Sequence, residues 1–424
     1  MAGQGPVVVT DPGAVSAAAL HAVPELGRET QDEKELMRRM IAWTAPALIG
    51  ALTLLAVSVV LASGDDRLPT LTPVGAALDT SSEAAGQRRA NHGVGFAAMS
   101  EQVKDRLDLV RRRGHLVCAT SDAIPGFGYL ADGANAGFDV DLCRAVAAAA
   151  LGDPNAVEFR ISVPTGLGAA VRSGEIDMVA RILTATTTRE AEWGNFVHTM
   201  YYDGQGLIVR RSLGVAAARE LAGASVCVTE NTTTELNLAD FSRLHRLDLR
   251  AVAFAKTSAA VDAYLDGQCD AFTTDHSGLH AYLSVFPDPS GHVVLPDVIS
   301  EEPLTPLVPH GDDRWYDIVK TVMAILIYAE AYGVTSDSAL AQPTGDARVD
   351  RLFGLAGSFG QEDLGLSRTV AQDVIRAVGN YGEIYDRHLA PLGLERRGSR
   401  NALWAGAPCS DCPRGGQVYA PPLR

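Results

Sequence analysis

Lysine is nearly missing from these 424 residues: it occurs four times, at Lys34, Lys104, Lys256 and Lys320, and arginine supplies most of the positive charge. Acidic residues outnumber basic ones, 51 to 36, and the formal net charge is −15. Phosphate backbones are held by clustered Lys and Arg, so this balance excludes nucleic acid as the expected partner. Catalytic signatures are also scarce. No Gly-x-Ser-x-Gly, phosphate loop or dinucleotide-binding Gly-rich turn occurs in a fitting context. His276 and His280 have i,i+4 spacing, but no His-Glu-x-x-His surrounds them and no third ligand is evident. Cys409 and Cys412 form a lone Cys-Ser-Asp-Cys without a second pair or a nearby His. An incidental surface disulfide or free thiols is the expectation there, not zinc. No metal and no cofactor is therefore expected, and Glu190 and Glu192 read as a solvated helix start.

What is present begins with one long apolar run. Residues 41–63 are uncharged. As a helix they would cover roughly 34 Å, against a hydrocarbon core of about 30 Å. Lys34, Arg38 and Arg39 precede the run, and Asp65 and Asp66 follow it. The positive-inside rule then puts residues 1–40 in the cytoplasm and the bulk of the chain outside. A retained transmembrane anchor is expected. Its rival is a cleaved signal peptide ending near Val60-Leu61-Ala62, but the run exceeds the usual length of roughly 7–15 residues. In either case the main domain is exported, and six cysteines fit an oxidising compartment.

Further on, two stretches say nearly the same thing. Arg172-Ser173-Gly174-Glu175-Ile176-Asp177-Met178-Val179 is echoed by Leu265-Asp266-Gly267-Gln268-Cys269-Asp270-Ala271-Phe272. Each reads as a helix end closed by Gly, then an Asp, then a buried strand. Each ends a βαβαβ pattern. In the first, strands are expected at 116–120, 157–163 and 176–180, with helices at 139–151, capped by Asp139, and 165–173. In the second, strands are expected at 224–228, 249–254 and 269–273, with helices at 233–244 and 258–265. Thr232 and Glu235 form a capping-box pattern before the first of these helices. This is α/β architecture with two parallel-sheet lobes, and such sheets bind ligands beyond the carboxyl ends of their strands. The first echo leads to Thr184 and Arg189, the second to Thr273-Thr274-Asp275. A cation on one lobe and an anion on the other would suit a zwitterion between them.

Extended stretches at 201–210 and 292–296 are placed to carry the chain between the lobes. The expected organisation is a tail at 1–40, the anchor at 41–63 and a linker at 64–106. Residues 107–208 form the first part of lobe 1 and 209–298 form lobe 2. Residues 299–424 complete lobe 1 and add a helical extension, with helices near 313–332, 346–355, 367–380 and 383–389.

Gly137-Phe138-Asp139-Val140-Asp141-Leu142 resembles the signature of periplasmic polar-amino-acid-binding proteins of ABC transporters. A longer match is to the general L-amino-acid-binding branch of solute-binding protein family 3. It includes Tyr201-Tyr202-Asp203-Gly204-Gln205-Gly206, Thr232-Thr233-Thr234-Glu235-Leu236-Asn237 and Thr273-Thr274-Asp275. It continues in His292-Val293-Val294-Leu295-Pro296, Val378-Gly379-Asn380-Tyr381-Gly382-Glu383 and Asn401-Ala402-Leu403-Trp404. The resemblance covers about residues 107–424. It implies a type II periplasmic-binding-protein-like fold that closes about a hinge on an L-amino acid and delivers it to an ABC permease.

The resemblance implies roles for single residues. Arg189 pairs with the ligand α-carboxylate through its planar N–H fork. Thr184 shares that carboxylate, and Thr232 and Thr233 add hydroxyl or backbone N–H groups at a helix start. Asp275 receives the α-ammonium, while Ile124 and Phe127 cover the ligand side chain. Disulfides Cys118–Cys143 and Cys227–Cys269 are expected within the lobes, with buried free thiols as the alternative. Four positions depart from the family pattern. Ile182 and Leu183 stand where Asn or Thr is usual, Asn231 replaces a Gly, and His276 replaces a neutral amide. These departures leave two alternatives beside the transport receptor. One is a membrane-anchored sensor or scaffold with a degenerate cleft. The other is a dehydratase-like enzyme on the same fold, with Glu230 or His276 as its acid.

Overall fold

The computed structural model describes residues 105–162, 164–338 and 343–423, all within the compact unit Glu83–Arg424. The expected tail, anchor and nearly all of the linker lie outside the described residues. Among the described residues no helix is long and apolar enough to cross a membrane.

The described chain opens with α1 (Arg106–Arg113) and β1 (Leu116–Thr120). A small antiparallel sheet follows, formed by β2 (Ala123–Ile124), β3 (Gly128–Ala131) and β4 (Ala134–Ala136). Next come α2 (Phe138–Leu151), β5 (Val157–Ile161), α3 (Pro164–Arg172), β6 (Met178–Val179), α4 (Thr187–Glu192) and β7 (Gly194–Phe196). Asp139 does not cap α2. The helix starts one residue earlier, behind Gly137 at φ 129, where an added Cβ would lie 2.2 Å from the Phe127 carbonyl oxygen. Asp139 is instead buried inside the first turn, and its carboxylate reaches across to the segment after β6.

The chain then passes through β8 (Tyr201–Asp203) into β9 (Gln205–Arg210), β10 (Ser225–Thr229), α5 (Thr233–His245), β11 (Arg250–Phe254), α6 (Thr257–Leu265), β12 (Ala271–Asp275), α7 (His276–Leu283) and β13 (His292–Val294). It returns through β14 (Glu302–Leu304) to β15 (Leu307–Pro309) and α8 (Asp313–Ala331). After these come α9 (Ala347–Leu352), α10 (Val370–Val378) and α11 (Tyr381–His388).

Two five-stranded sheets result, in the orders β5-β1-β6-β15-β7 and β11-β10-β12-β9-β13. In each, the first three strands are parallel, the fourth (β15 or β9) runs against them, and the edge strand beyond it (β7 or β13) is antiparallel to the fourth. The two echoed aspartates do equivalent work. Asp177 accepts the Val117 N–H at 2.7 Å, and Asp270 accepts the Ser225 N–H at 2.8 Å. Each ties the start of its sheet's third strand to the start of the first. Asp177 is fully buried and also takes Arg106 and Arg113 as ion-pair partners, while Asp270 uses the Ser225 hydroxyl.

The crossings between sheets differ from expectation. Among the described residues β8 and β14 make them, paired antiparallel with Glu302 opposite Asp203. β9 already belongs to the second sheet, so that sheet begins at Gln205 instead of 209. Residues 292–294 carry no crossing either: β13 is an edge strand on β9, held there by the buried His292 ring bonded to the Tyr264 hydroxyl at 2.7 Å.

Behind the first sheet, α8 is buried along most of its length, with Trp315 donating to the Asp177 carbonyl at 2.8 Å. α10 packs beside α2, and α11 places Tyr381 and Tyr385 against Phe138. These helices brace the wall from which the segment after β6 projects.

All six cysteines are paired: Cys118–Cys143 joins β1 to α2, Cys227–Cys269 joins β10 to the approach of β12, and Cys409–Cys412 closes a short C-terminal loop. The first two have Cα separations of 6.1 and 5.7 Å. Titration of thiols in denaturant without reductant is expected to find none. Replacing Cys227 and Cys269 together by Ala opens a 42-residue link and should lower unfolding free energy by about 4 kcal/mol in chemical denaturation. Free core thiols in the unreduced chain would contradict the pairing.

Candidate functional site

The site forms where the carboxyl ends of both sheets face each other. From the first lobe come Arg181, Ile182, Thr184 and Arg189, together with Ile124 from β2 and Trp193 after α4. The second lobe adds Thr229, Thr232, Thr233, Thr274, Asp275 and Tyr282. The two sides touch directly: the Thr184 and Thr233 hydroxyls are 3.5 Å apart.

Arg189 is held by its own helix start. Thr186 caps α4 by accepting the Arg189 N–H at 3.2 Å, and the guanidinium donates to the Thr184 carbonyl at 2.9 Å while lying over the Trp193 ring. Burial lowers its pKa, although Asp275 and Glu302 oppose that shift. Asp275 ends β12 and is buried, with its Oδ1 unpartnered. Burial first, then the carboxylates of Asp203 and Glu302, push Asp275 well above the usual range, against Arg189 and Arg181. Neither Arg189 nor Asp275 makes an ion pair among the described residues, so the charges face the cleft from opposite lobes without cancelling.

The threonines divide their work. Thr232 caps α5, accepting the Glu235 N–H at 3.3 Å and donating to the Thr229 carbonyl at 2.7 Å. Glu235 reaches one residue further back than a capping box requires, to the N–H of Asn231 at 2.9 Å. Asn231 sits at φ 58, so it takes the left-handed turn expected of the Gly it replaces. The Thr233 hydroxyl donates to Glu302 at 3.2 Å. Ile124 lines the cleft, whereas Phe127 lies behind it among Phe138 and Tyr201 and faces a smaller cavity. Glu230 and His276 are absent from the cleft lining.

Both residues of the apolar pair after β6 line the cleft. Leu183 also packs into the first lobe's core with Leu167, Val171 and Phe196. Ile182 lines the cleft at φ 45, a left-handed backbone that β-branched residues rarely adopt. Its N–H donates to Asp139 at 2.9 Å, which fixes the turn. Residue patterns had marked Asp139 only as a cap. They had named no site role for Arg181, Tyr282, Asp203 or Glu302. A polar residue directly after a strand's carboxyl end was the available signal for Arg181. Glu302 carried none, because its position depends on the β8–β14 pairing.

Burial raises the Asp139 carboxyl to about 7 and the Asp203 carboxyl to about 6. A carboxyl raised on folding stabilises the fold fully below its unfolded pKa, and this contribution is lost as pH rises through the folded value. Asp139→Asn keeps an acceptor for Ile182 and removes the titration. Relative to wild type, the variant should gain stability between pH 5 and 8, on the order of 2 kcal/mol, in urea melts across that range. A wild-type-minus-variant difference that is flat in pH would contradict the assignment.

Residues 116–337 match the bacterial extracellular solute-binding proteins, family 3. The chain is 40% identical over 325 residues to the glutamate/glutamine/aspartate/asparagine-binding protein BztA of Rhodobacter capsulatus, covering 75% of this chain and 93% of that one. It is 41% identical over 324 residues to the general L-amino acid-binding periplasmic protein AapJ of Rhizobium johnstonii, covering 74% and 92%. Among solved structures, an ABC transporter periplasmic binding protein from Brucella ovis with glutathione bound superposes with a TM-score of 0.70 at 37% identity, over 76% of this chain and 99% of that one. The match over most of the described chain, on two sheets whose strand ends face one cleft, shows that this chain belongs to the bacterial extracellular solute-binding proteins, family 3.

Proposed function

We propose that this protein captures an L-α-amino acid between its lobes outside the cytoplasm and delivers it to an ABC permease. The observation that carries the reading is the placement of Arg189 and Asp275. They lie on opposite lobes, line one cleft and have no ion-pair partner among the described residues. An α-carboxylate would take the guanidinium fork together with the Thr184 hydroxyl and the Thr233 backbone N–H at the start of α5, and an α-ammonium would take Asp275. A ligand bridging both lobes favours the closed form by the interactions it makes only there. The Thr232 cap and α5 add a helix start to the carboxylate side.

The lobes are proposed to run from about 107 to 203 and 303 onward for the first, and from 204 to 302 for the second, with β8 and β14 as the hinge. Residues 41–63 would tether the receptor to the inner membrane. The names of BztA and AapJ support the ligand class, and both describe binding proteins instead of enzymes.

Isothermal titration of the full-length chain in detergent against the common L-amino acids tests this reading. At least one should bind, and Arg189→Ala and Asp275→Ala should each weaken it by roughly 30-fold to several thousand-fold. Unaltered affinity in both variants would sink the proposal.

A further inference from the structure

The cleft holds one cation more than a simple zwitterion uses. Arg181 follows β6 and lines the same cleft as Arg189 and Asp275. It makes no hydrogen bond or ion pair among the described residues, and its Nε is buried without an acceptor. The Tyr282 hydroxyl on α7, on the opposite wall, is also buried and unpartnered. Arg181 feels Asp139, Tyr282 and Asp275, so these groups lie close together.

The carboxylates near Arg181 make no hydrogen bond to it. Asp139 favours the charged guanidinium, but its carboxylate is bonded to the Ile182 N–H instead. Glu302 accepts from Thr233, Asn237 and Ser300. Asp203 accepts the N–H groups of Gly204 and Ser277. Asp275 faces Arg189 as well as Arg181, and in the amino-acid reading it is taken by the ligand ammonium.

We propose that Arg181 and Tyr282 form a side-chain subsite that takes a second carboxylate, so that the preferred ligands are acidic amino acids. The inference rests on the amino-acid reading of this same cleft. A neutral amino acid would satisfy Arg189 and Asp275 but leave the Arg181 guanidinium without a hydrogen-bonded acceptor, which is costly in a dehydrated site. An acidic ligand supplies two carboxylates and one ammonium, matching two guanidiniums and one aspartate. The open groups also have the right polarity: Arg181 and Tyr282 offer an N–H and an O–H, both donors to a carboxylate, while Asp275 offers an acceptor. A carboxamide oxygen can accept these bonds but brings no charge, and a basic side chain meets a like charge.

The test is calorimetric titration of the full-length chain with L-glutamate, L-aspartate, L-glutamine, L-alanine and L-arginine, repeated on Arg181→Gln and Arg181→Lys after thermal melts establish folding. Wild type should prefer glutamate over its near-isostere glutamine by at least about 30-fold, as expected for an enclosed charge pair. Arg181→Gln should bring that ratio close to one, and Arg181→Lys should leave it between the two. Equal binding of glutamine and glutamate by wild type overturns the subsite and leaves the amino-acid reading standing. A glutamate preference that survives Arg181→Gln overturns the role of Arg181. Binding of no amino acid overturns both readings.

Discussion

Asp275 is a carboxylate enclosed at the end of a strand, facing two guanidiniums it does not touch as an ion pair and two further carboxylates that repel it. Such a group is stable in a closed cleft only when protonated or when a cation arrives. Arg181 and Arg189 pose the converse problem on the opposite lobe. Closing the lobes without a ligand encloses charges that do not pair. In the proposed reading a zwitterion resolves both sides at once, and closure and binding become one event. The duplicated sheets, the strand ends aimed at each other and the caps that fix α4 and α5 all position these few charges.

The hinge connects to the same charges. β8 and β14 pair with Asp203 opposite Glu302, and Asp203 raises Asp275 through the protein interior. Glu302 also holds Thr233 and Asn237 of α5, so a residue on a crossing strand grips the helix that carries part of the site. Rotation about this strand pair must therefore rearrange hydrogen bonds at the cleft floor.

Most of the fold was legible in local patterns. The two βαβαβ runs, the strand at Leu116–Thr120 and the disulfide partners follow from short continuous apolar runs, Gly-terminated helices and strand adjacency. That Arg189 and Asp275 lie at one cleft follows from their positions after the echoed strands. Residues whose roles depend on distant pairing were not. Asp139 looked like a cap because it precedes an apolar helix, yet Gly137 starts that helix and frees Asp139 to hold Ile182. Phe127 looked like part of a ligand cover but packs into an aromatic cluster with Phe138 and Tyr201. The Ile182-Leu183 pair read as lost polarity. In the structure Leu183 is core, and Ile182 sets a strained turn whose backbone N–H, not its side chain, makes the polar contact.

The central claim is that one ligand connects Arg189 and Asp275 across the lobes. A thermodynamic cycle by calorimetry tests it most directly, combining Asp275→Ala with removal of the ligand's α-ammonium by N-acetylation. If the ammonium meets Asp275, each change alone weakens binding strongly and the two together cost little more than either one. Strictly additive losses would mean that the ammonium lies elsewhere, and the cross-lobe account would be wrong.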